Sequence, residues 1–196
     1  MCGIIGYIGH EQVAPILLQG LRRMEYRGYD SAGVAVCSPE KGLQVKKTKG
    51  RIQVLSDMIH GGADLEGTVG IGHTRWATHG EPSNINAHPH VSESGKFALV
   101  HNGIIENYME IKEALQKKGV QFASDTDSEV VAQLLEYYYR DTGDMLEAVS
   151  QVLERIEGSY GFAILCGDCP DTMITARKDS PLILGYGDGF SFVASD

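Results

Sequence analysis

Cys2-Gly3-Ile4-Ile5-Gly6-Tyr7-Ile8 is a short apolar run that reads as a buried strand over residues 3–8. Residues 12–24 follow as an amphipathic helix with Val13, Leu17, Leu21 and Met24 on one face. Further strands are expected at 32–37, 43–48, 69–73 and 97–101. Three helices come next. The first, 107–118, is closed by Gly119, and the second, 127–139, opens on Thr126-Asp127-Ser128-Glu129, which has the form of a capping box. The third, 144–157, sets Leu146, Val149, Leu153 and Ile156 on one face before Gly158. From residue 160 the pattern returns to short strands, at 160–166, 172–177, 182–186 and 190–195, joined by turns such as Gly167-Asp168 and Asp188-Gly189. Strands, then helices, then strands predict an α+β fold of stacked antiparallel sheets with helices on the outer faces, not a parallel sheet built from βαβ units.

The composition excludes several classes. The 196 residues suit one domain, and 42% hydrophobic with 22% charged is ordinary for a globular chain. A formal charge of -9 argues against a nucleic-acid or anionic-membrane partner, so an anionic ligand needs a local basic site. There is no charged-then-apolar leader and no apolar run approaching about 18 residues, and the four cysteines lack framework spacing. A cytoplasmic protein is expected. The strand-like alternation of Phe190–Asp196 stops abruptly, which predicts that the natural chain continues.

Chemistry is concentrated in a few polar places. If Met1 is removed, Cys2 carries a sulfur nucleophile and a free α-amine on one residue. Their ordinary pKa values, about 8.5 and about 7.7–8.0, make both able to exchange protons near neutrality. Position alone also allows an inert core cysteine. Tyr26-Arg27-Gly28-Tyr29-Asp30-Ser31-Ala32-Gly33 joins the first helix to a strand, and turn formation accounts for most of it but not for Arg27. His73-Thr-Arg-Trp-Ala-Thr-His-Gly-Glu-Pro82 holds the only tryptophan and begins a loop extending to about residue 95, a length typical of binding loops. His101-Asn102-Gly103, at a strand end, is a turn or a pair of oxyanion donors.

These stretches, with His101-Asn-Gly-Ile-Ile-Glu-Asn107 and Thr126-Asp-Ser-Glu129, occur in the order of the class II glutamine amidotransferases, and the chain resembles that family along essentially all of its length. Cys-Gly-Ile alone is shared with asparagine synthetases and amidophosphoribosyltransferases. The stretches beginning at Tyr26 and His73 are more selective and favour the glutamine:fructose-6-phosphate amidotransferases. The resemblance implies the N-terminal nucleophile hydrolase fold, a four-layer αββα sandwich of two antiparallel sheets. It also implies that residues 1–196 are a glutaminase domain truncated at its C-terminal end, with the sugar isomerase domains outside this chain.

The family likeness assigns roles. Cys2 attacks the side-chain amide of L-glutamine, its α-amine relays the proton to departing ammonia, and water hydrolyses the γ-glutamyl thioester. The Asn102 amide and the Gly103 N–H form the oxyanion hole, where one lost donor costs about 2.7–4 kcal/mol. Arg75 and Asp127 bind the α-carboxylate and α-ammonium, and a guanidinium fork suits a carboxylate better than lysine does. An acidic residue in a helix's first turn is also stabilised there without any ligand. Trp76, Thr78 and His79 line the closing loop, and Arg27 lies beside the nucleophile. No metal or organic cofactor is expected. Fructose 6-phosphate enters only through the missing domains, and the assembly state is not legible.

Three other features compete. Five of the seven histidines, His73, His79, His88, His90 and His101, lie within a short stretch and make a metal hydrolase conceivable, although no recognised ligand motif accompanies them. Cys166-Gly-Asp-Cys169 has the CxxC form but joins two strands, which favours hairpin cysteines over a redox pair. A non-catalytic amino-acid-binding or regulatory module would differ from an enzyme in keeping its ligand binding after Cys2→Ala.

Overall fold

Strand β1 (Gly3–Ile8) lies inside a sheet, paired antiparallel with β4 (Val69–Arg75) on one side and β10 (Phe190–Ala194) on the other. This arrangement comes from a computed structural model that describes residues 2–77 and 80–196. Adding β2 (Ser31–Ser38), β3 (Gly42–Lys49) and β9 (Ile183–Gly187) gives the order β3-β2-β4-β1-β10-β9. The second sheet runs β5-β6-β7-β8, from β5 (His90–Val91), β6 (Phe97–Ile105), β7 (Gly158–Cys166) and β8 (Met173–Lys178). The pairings in both are antiparallel.

Alternation along β1 explains the layering. Ile4 points into the slab between the sheets, among Ala35, Ile71, Val100, Ala163 and Leu165. Ile5 and Tyr7 point the other way, onto Val13, Leu17 and Leu21 of helix α1 (Val13–Arg23) and Ile52 and Leu55 of α2 (Ile52–Met58). The outer face of the second sheet presents Phe97, Leu99, Phe162 and Ile164 to three helices: α3 (Tyr108–Lys117), α4 (Asp127–Thr142) and α5 (Met145–Arg155). Each such fully buried side chain contributes roughly 1.5–3 kcal/mol. The result is the four-layer αββα sandwich that the sequence predicts. Among the described residues, no helix is long and apolar enough to cross a membrane.

Four local readings need correction. Strand β6 continues through Ile105, because β7 pairs with it as far as Ile105 opposite Gly158, so Asn102-Gly103 lies inside a ladder and is not a turn. Helix α2 was not anticipated, although Ile52, Leu55 and Ile59 recur at helical spacing and are buried. Helix α5 keeps most of its expected face, since Val149, Leu153 and Ile156 pack on the core, but Leu146 is 67% exposed and Met145, Ala148 and Val152 are buried beside them. Only half of the capping box forms. Thr126 Oγ1 accepts from Glu129 N at 3.4 Å, but the Glu129 carboxylate passes over the Thr126 amide to take Ala123 N at 2.8 Å and Ser124 N at 2.6 Å.

Candidate active site

Where β1 begins, the two sheets come close enough to share side chains. Gly3 N donates to Thr74 Oγ1 at 3.2 Å, which holds the start of β1 against β4. Trp76 N, just past β4, donates to Cys2 Sγ at 3.1 Å. From the other sheet, Asn102 Nδ2 on β6 donates to Cys2 O at 3.0 Å. One cavity opens here, lined by Cys2, Arg75, Trp76, Gly103 and Asp127, with His88, His101, Thr126 and Ser128 also on its wall. Burial pushes the Cys2 thiol up from its ordinary value, while the Trp76 amide and the Arg75 charge work the other way. The sulfur is therefore mostly a thiol at neutral pH, and attack requires a base next to it.

The cavity gathers residues from distant parts of the chain. Arg75 ends β4, is 4% exposed, and its guanidinium donates to Gly80 O at 3.3 Å and Glu81 O at 3.4 Å. Asp127 is the first residue of α4 and is 5% exposed; Oδ2 accepts from Ile105 N at 2.8 Å. That places a buried cation and a buried anion on one hollow, the pattern an amino acid's two charges would require. Gly103 has φ +120°, and a Cβ there would lie 2.2 Å from Ser159 O. Only glycine suits that point of the β6–β7 ladder.

Trp76 is half-exposed and meets Tyr29 edge-on at 5.5 Å, and the Arg51 guanidinium lies 5.4 Å over the Tyr29 ring. Ala77 N donates to Asp30 Oδ2, so the stretch before β2 braces the residues that cover the nucleophile. Gly28 permits this closeness: a Cβ there would meet the Arg75 and Trp76 backbone at 2.6–2.8 Å. Arg27 contacts the far end of the chain, with Nη1 3.3 Å from Ser195 O and 3.0 Å from Asp196 Oδ2. Ser195 in turn exchanges hydrogen bonds with Ile4 at 2.9 and 3.0 Å, so these contacts reach the nucleophile's strand by way of the segment after β10. Thr78 and His79 lie outside the described residues.

The histidine group is a set of buried struts. His73 stacks on His88 at 4.1 Å, and His88 meets His90 edge-on at 4.5 Å. Ser128 Oγ bridges His88 Nε2 (3.1 Å) and His101 Nδ1 (2.8 Å), and Thr126 Oγ1 holds His90 Nε2 at 3.0 Å. Burial lowers the pKa of all four, that of His73 to about 3. Among the described residues, no three of His, Cys, Asp and Glu are arranged to hold a metal ion. Cys166, the last residue of β7, and Cys169, on the connection to β8, are free thiols where two strands join, as the strand reading predicts. Sequence reasoning missed Tyr29, Asp30, Ser128 and Lys47. Their residue types stand out only once the partner segments are in place.

A cysteine at the head of a central strand, two stacked antiparallel sheets and an asparagine-glycine pair facing it across the slab define a class II amidotransferase domain of the N-terminal nucleophile hydrolase type. The chain belongs to the glutamine amidotransferase domain family, whose model matches residues 73–196. It is 58% identical over its whole length to a glutamine–fructose-6-phosphate aminotransferase (isomerizing) of Caldanaerobacter subterraneus and 52% identical to that of Thermus thermophilus, covering 32% of each relative. The chain thus spans about a third of the length of the curated relatives it matches. The solved glutamine phosphoribosylpyrophosphate amidotransferase from B. subtilis superposes with a TM-score of 0.83 at 28% identity, over 99% of this chain and 42% of that one.

Proposed function

We propose that this domain hydrolyses the side-chain amide of L-glutamine to glutamate and ammonia with Cys2 as nucleophile. We also propose that, in a longer protein of the relatives' kind, the ammonia aminates fructose 6-phosphate on domains outside these residues. The carrying observation is the single hollow lined by Cys2, Arg75, Asp127 and Gly103. Arg75 would receive the α-carboxylate and Asp127 the α-ammonium, which leaves the side-chain amide directed at the sulfur. Trp76, with Thr78 and His79, would close over it.

As sulfur bonds to the amide carbon, the thiol proton passes to the α-amine of Cys2, free once Met1 is removed. The carbonyl oxygen becomes an oxyanion held by the Asn102 Nδ2 and Gly103 N–H groups. The C–N bond then breaks, and the amine returns the proton to departing ammonia. Water adds to the thioester carbon and releases glutamate and the thiol. Arg27 supports the nucleophile's strand through Ser195.

A glutamine analogue with an electrophile at the side-chain position tests the reading. Peptide mass mapping should place the label on Cys2, with glutamine protecting it. None is expected on Cys37 or Cys166, which are buried and whose thiols burial pushes up, to about 11 for Cys166, nor on Cys169 in its hairpin. Label on another cysteine, or undiminished hydrolysis after Cys2 is modified, would overturn it. Intact mass reports Met1: protein retaining it should be nearly inert, and equal activity of trimmed and untrimmed protein would remove the α-amine from the scheme.

A further inference from the structure

Asn102 has two ends, and only one of them can serve an oxyanion. Its Nδ2 lies 3.0 Å from Cys2 O, and its Oδ1 lies 3.0 Å from His73 Nε2, which is also 3.2 Å from His101 O. Reversing the amide would set oxygen against the Cys2 carbonyl. It would also set the NH2 group against an imidazole nitrogen that the His101 carbonyl already requires to carry hydrogen. Both contacts therefore select the same orientation. One N–H of Nδ2 is taken by Cys2 O, and in the glutaminase reading the other is the one offered to the oxyanion.

The proton positions behind this contact can be counted. His101 Nε2 faces Ser159 O at 3.4 Å, and a carbonyl only accepts, so that nitrogen carries the hydrogen and Nδ1 is bare. The Ser128 hydroxyl must then donate to His101 Nδ1 and accept from His88 Nε2. His73 and His88 each keep their one hydrogen on Nε2. This agrees with their Nδ1 atoms being buried without a hydrogen-bond partner. Burial holds the rings neutral, and a proton on either stacked ring would also face Arg75.

We propose that His73 is a positioning residue for glutamine hydrolysis: its Nε2–H pins Asn102 Oδ1, and so aims the Nδ2 group at the place where the oxyanion forms. The role rests on the glutaminase reading above. It predicts a defect in the transition state more than in ground-state binding, because the hydrogen bond to Asn102 acts on the oxyanion donor. His73→Leu should lower kcat by about 10²-fold with KM for glutamine changed by less than about 3-fold. His73→Gln, which can present an amide N–H in the same direction, should recover most of the loss. In an Asn102→Ala background, His73→Leu should cost less than about 3-fold more. A packing role alone would give additive losses and no rescue by Gln.

Nitrogen-detected NMR of the wild-type domain reads the tautomer directly, even if His73→Leu does not fold. The neutral Nε2–H form of His73 is expected throughout about pH 5.5–8, and an Nδ1–H form or a titration in that range overturns the proposal. Wild-type protein shown by intact mass to lack Met1 that still leaves glutamine intact would overturn the glutaminase reading and this role with it. Active wild type with additive losses would overturn this role alone.

Discussion

Gly103 is where backbone and chemistry constrain each other most tightly. Its φ of +120° and the Ser159 carbonyl beside it leave no room for a methyl group, and the neighbouring residue carries the amide that faces Cys2. In Gly103→Ala, β6 must move off β7 at that point or take a strained conformation costing about 1–3 kcal/mol. Either response displaces the proposed oxyanion donors. We expect kcat to fall by about 10²-fold or more while KM changes little, together with a lower Tm; steady-state kinetics and a thermal melt check both. Full activity in this variant would remove Gly103 from the oxyanion site. His73 belongs to the same scale, since one ring nitrogen sets which end of Asn102 faces Cys2.

At the scale of elements, Lys47 on β3 holds the loop that delivers the histidines. Its ammonium donates to Ile85 O at 3.2 Å, Ala87 O at 2.8 Å and Pro89 O at 3.1 Å, fastening the approach to β5 onto the first sheet. Lys47→Met leaves those carbonyls without this donor. A loss of about 2–3 kcal/mol is expected, measured by urea unfolding, with a raised KM for glutamine because His88 lines the substrate cavity. An unchanged midpoint would mean the loop is held by its other contacts. Helix α4 shows how far an element can be read in advance: the Thr126 cap is local chemistry, as is the Gly119 stop of α3, but α4 runs past the expected end at 139 to Thr142 and stops at Gly143. That Glu129 reaches past its own cap to residues 123 and 124 depends on how the preceding loop lies. In helix α5 only the first position of the expected face differs, because Leu146 suits an apolar stripe as well as Met145 does, and only the neighbouring sheet decides between them.

For the molecule as a whole, the buried histidines tie stability to pH. His73, His88, His90 and His101 are held neutral when folded, with pKa values below the ordinary 6.5, but take up protons near that value when unfolded. The unfolded state therefore binds more protons once pH drops below about 6.5, and folding stability falls as pH falls through that point. Each proton contributes about 1.4 kcal/mol per pH unit. Urea unfolding should show near-constant stability from about pH 7 to 8 and a steep decline between about pH 6.5 and 5, to which His73, His88 and His90 contribute most and His101 adds. A flat profile there would mean that the imidazoles are not all neutral in the folded protein. By itself the sequence determined which chemical groups are present and which elements carry them: burial demand repeats every two residues in a strand and every 3.6 in a helix, so periodicity exposes both. It also placed Cys2 at the head of a strand and named the Arg75–Asp127 and Asn102–Gly103 pairs through their family pattern. Only the tertiary structure decided which groups meet. His73 finds Asn102 across 29 residues of chain and Arg27 finds Ser195 across 168, and hydrogen bonds of that span follow from how the sheets stack, which no local spacing encodes.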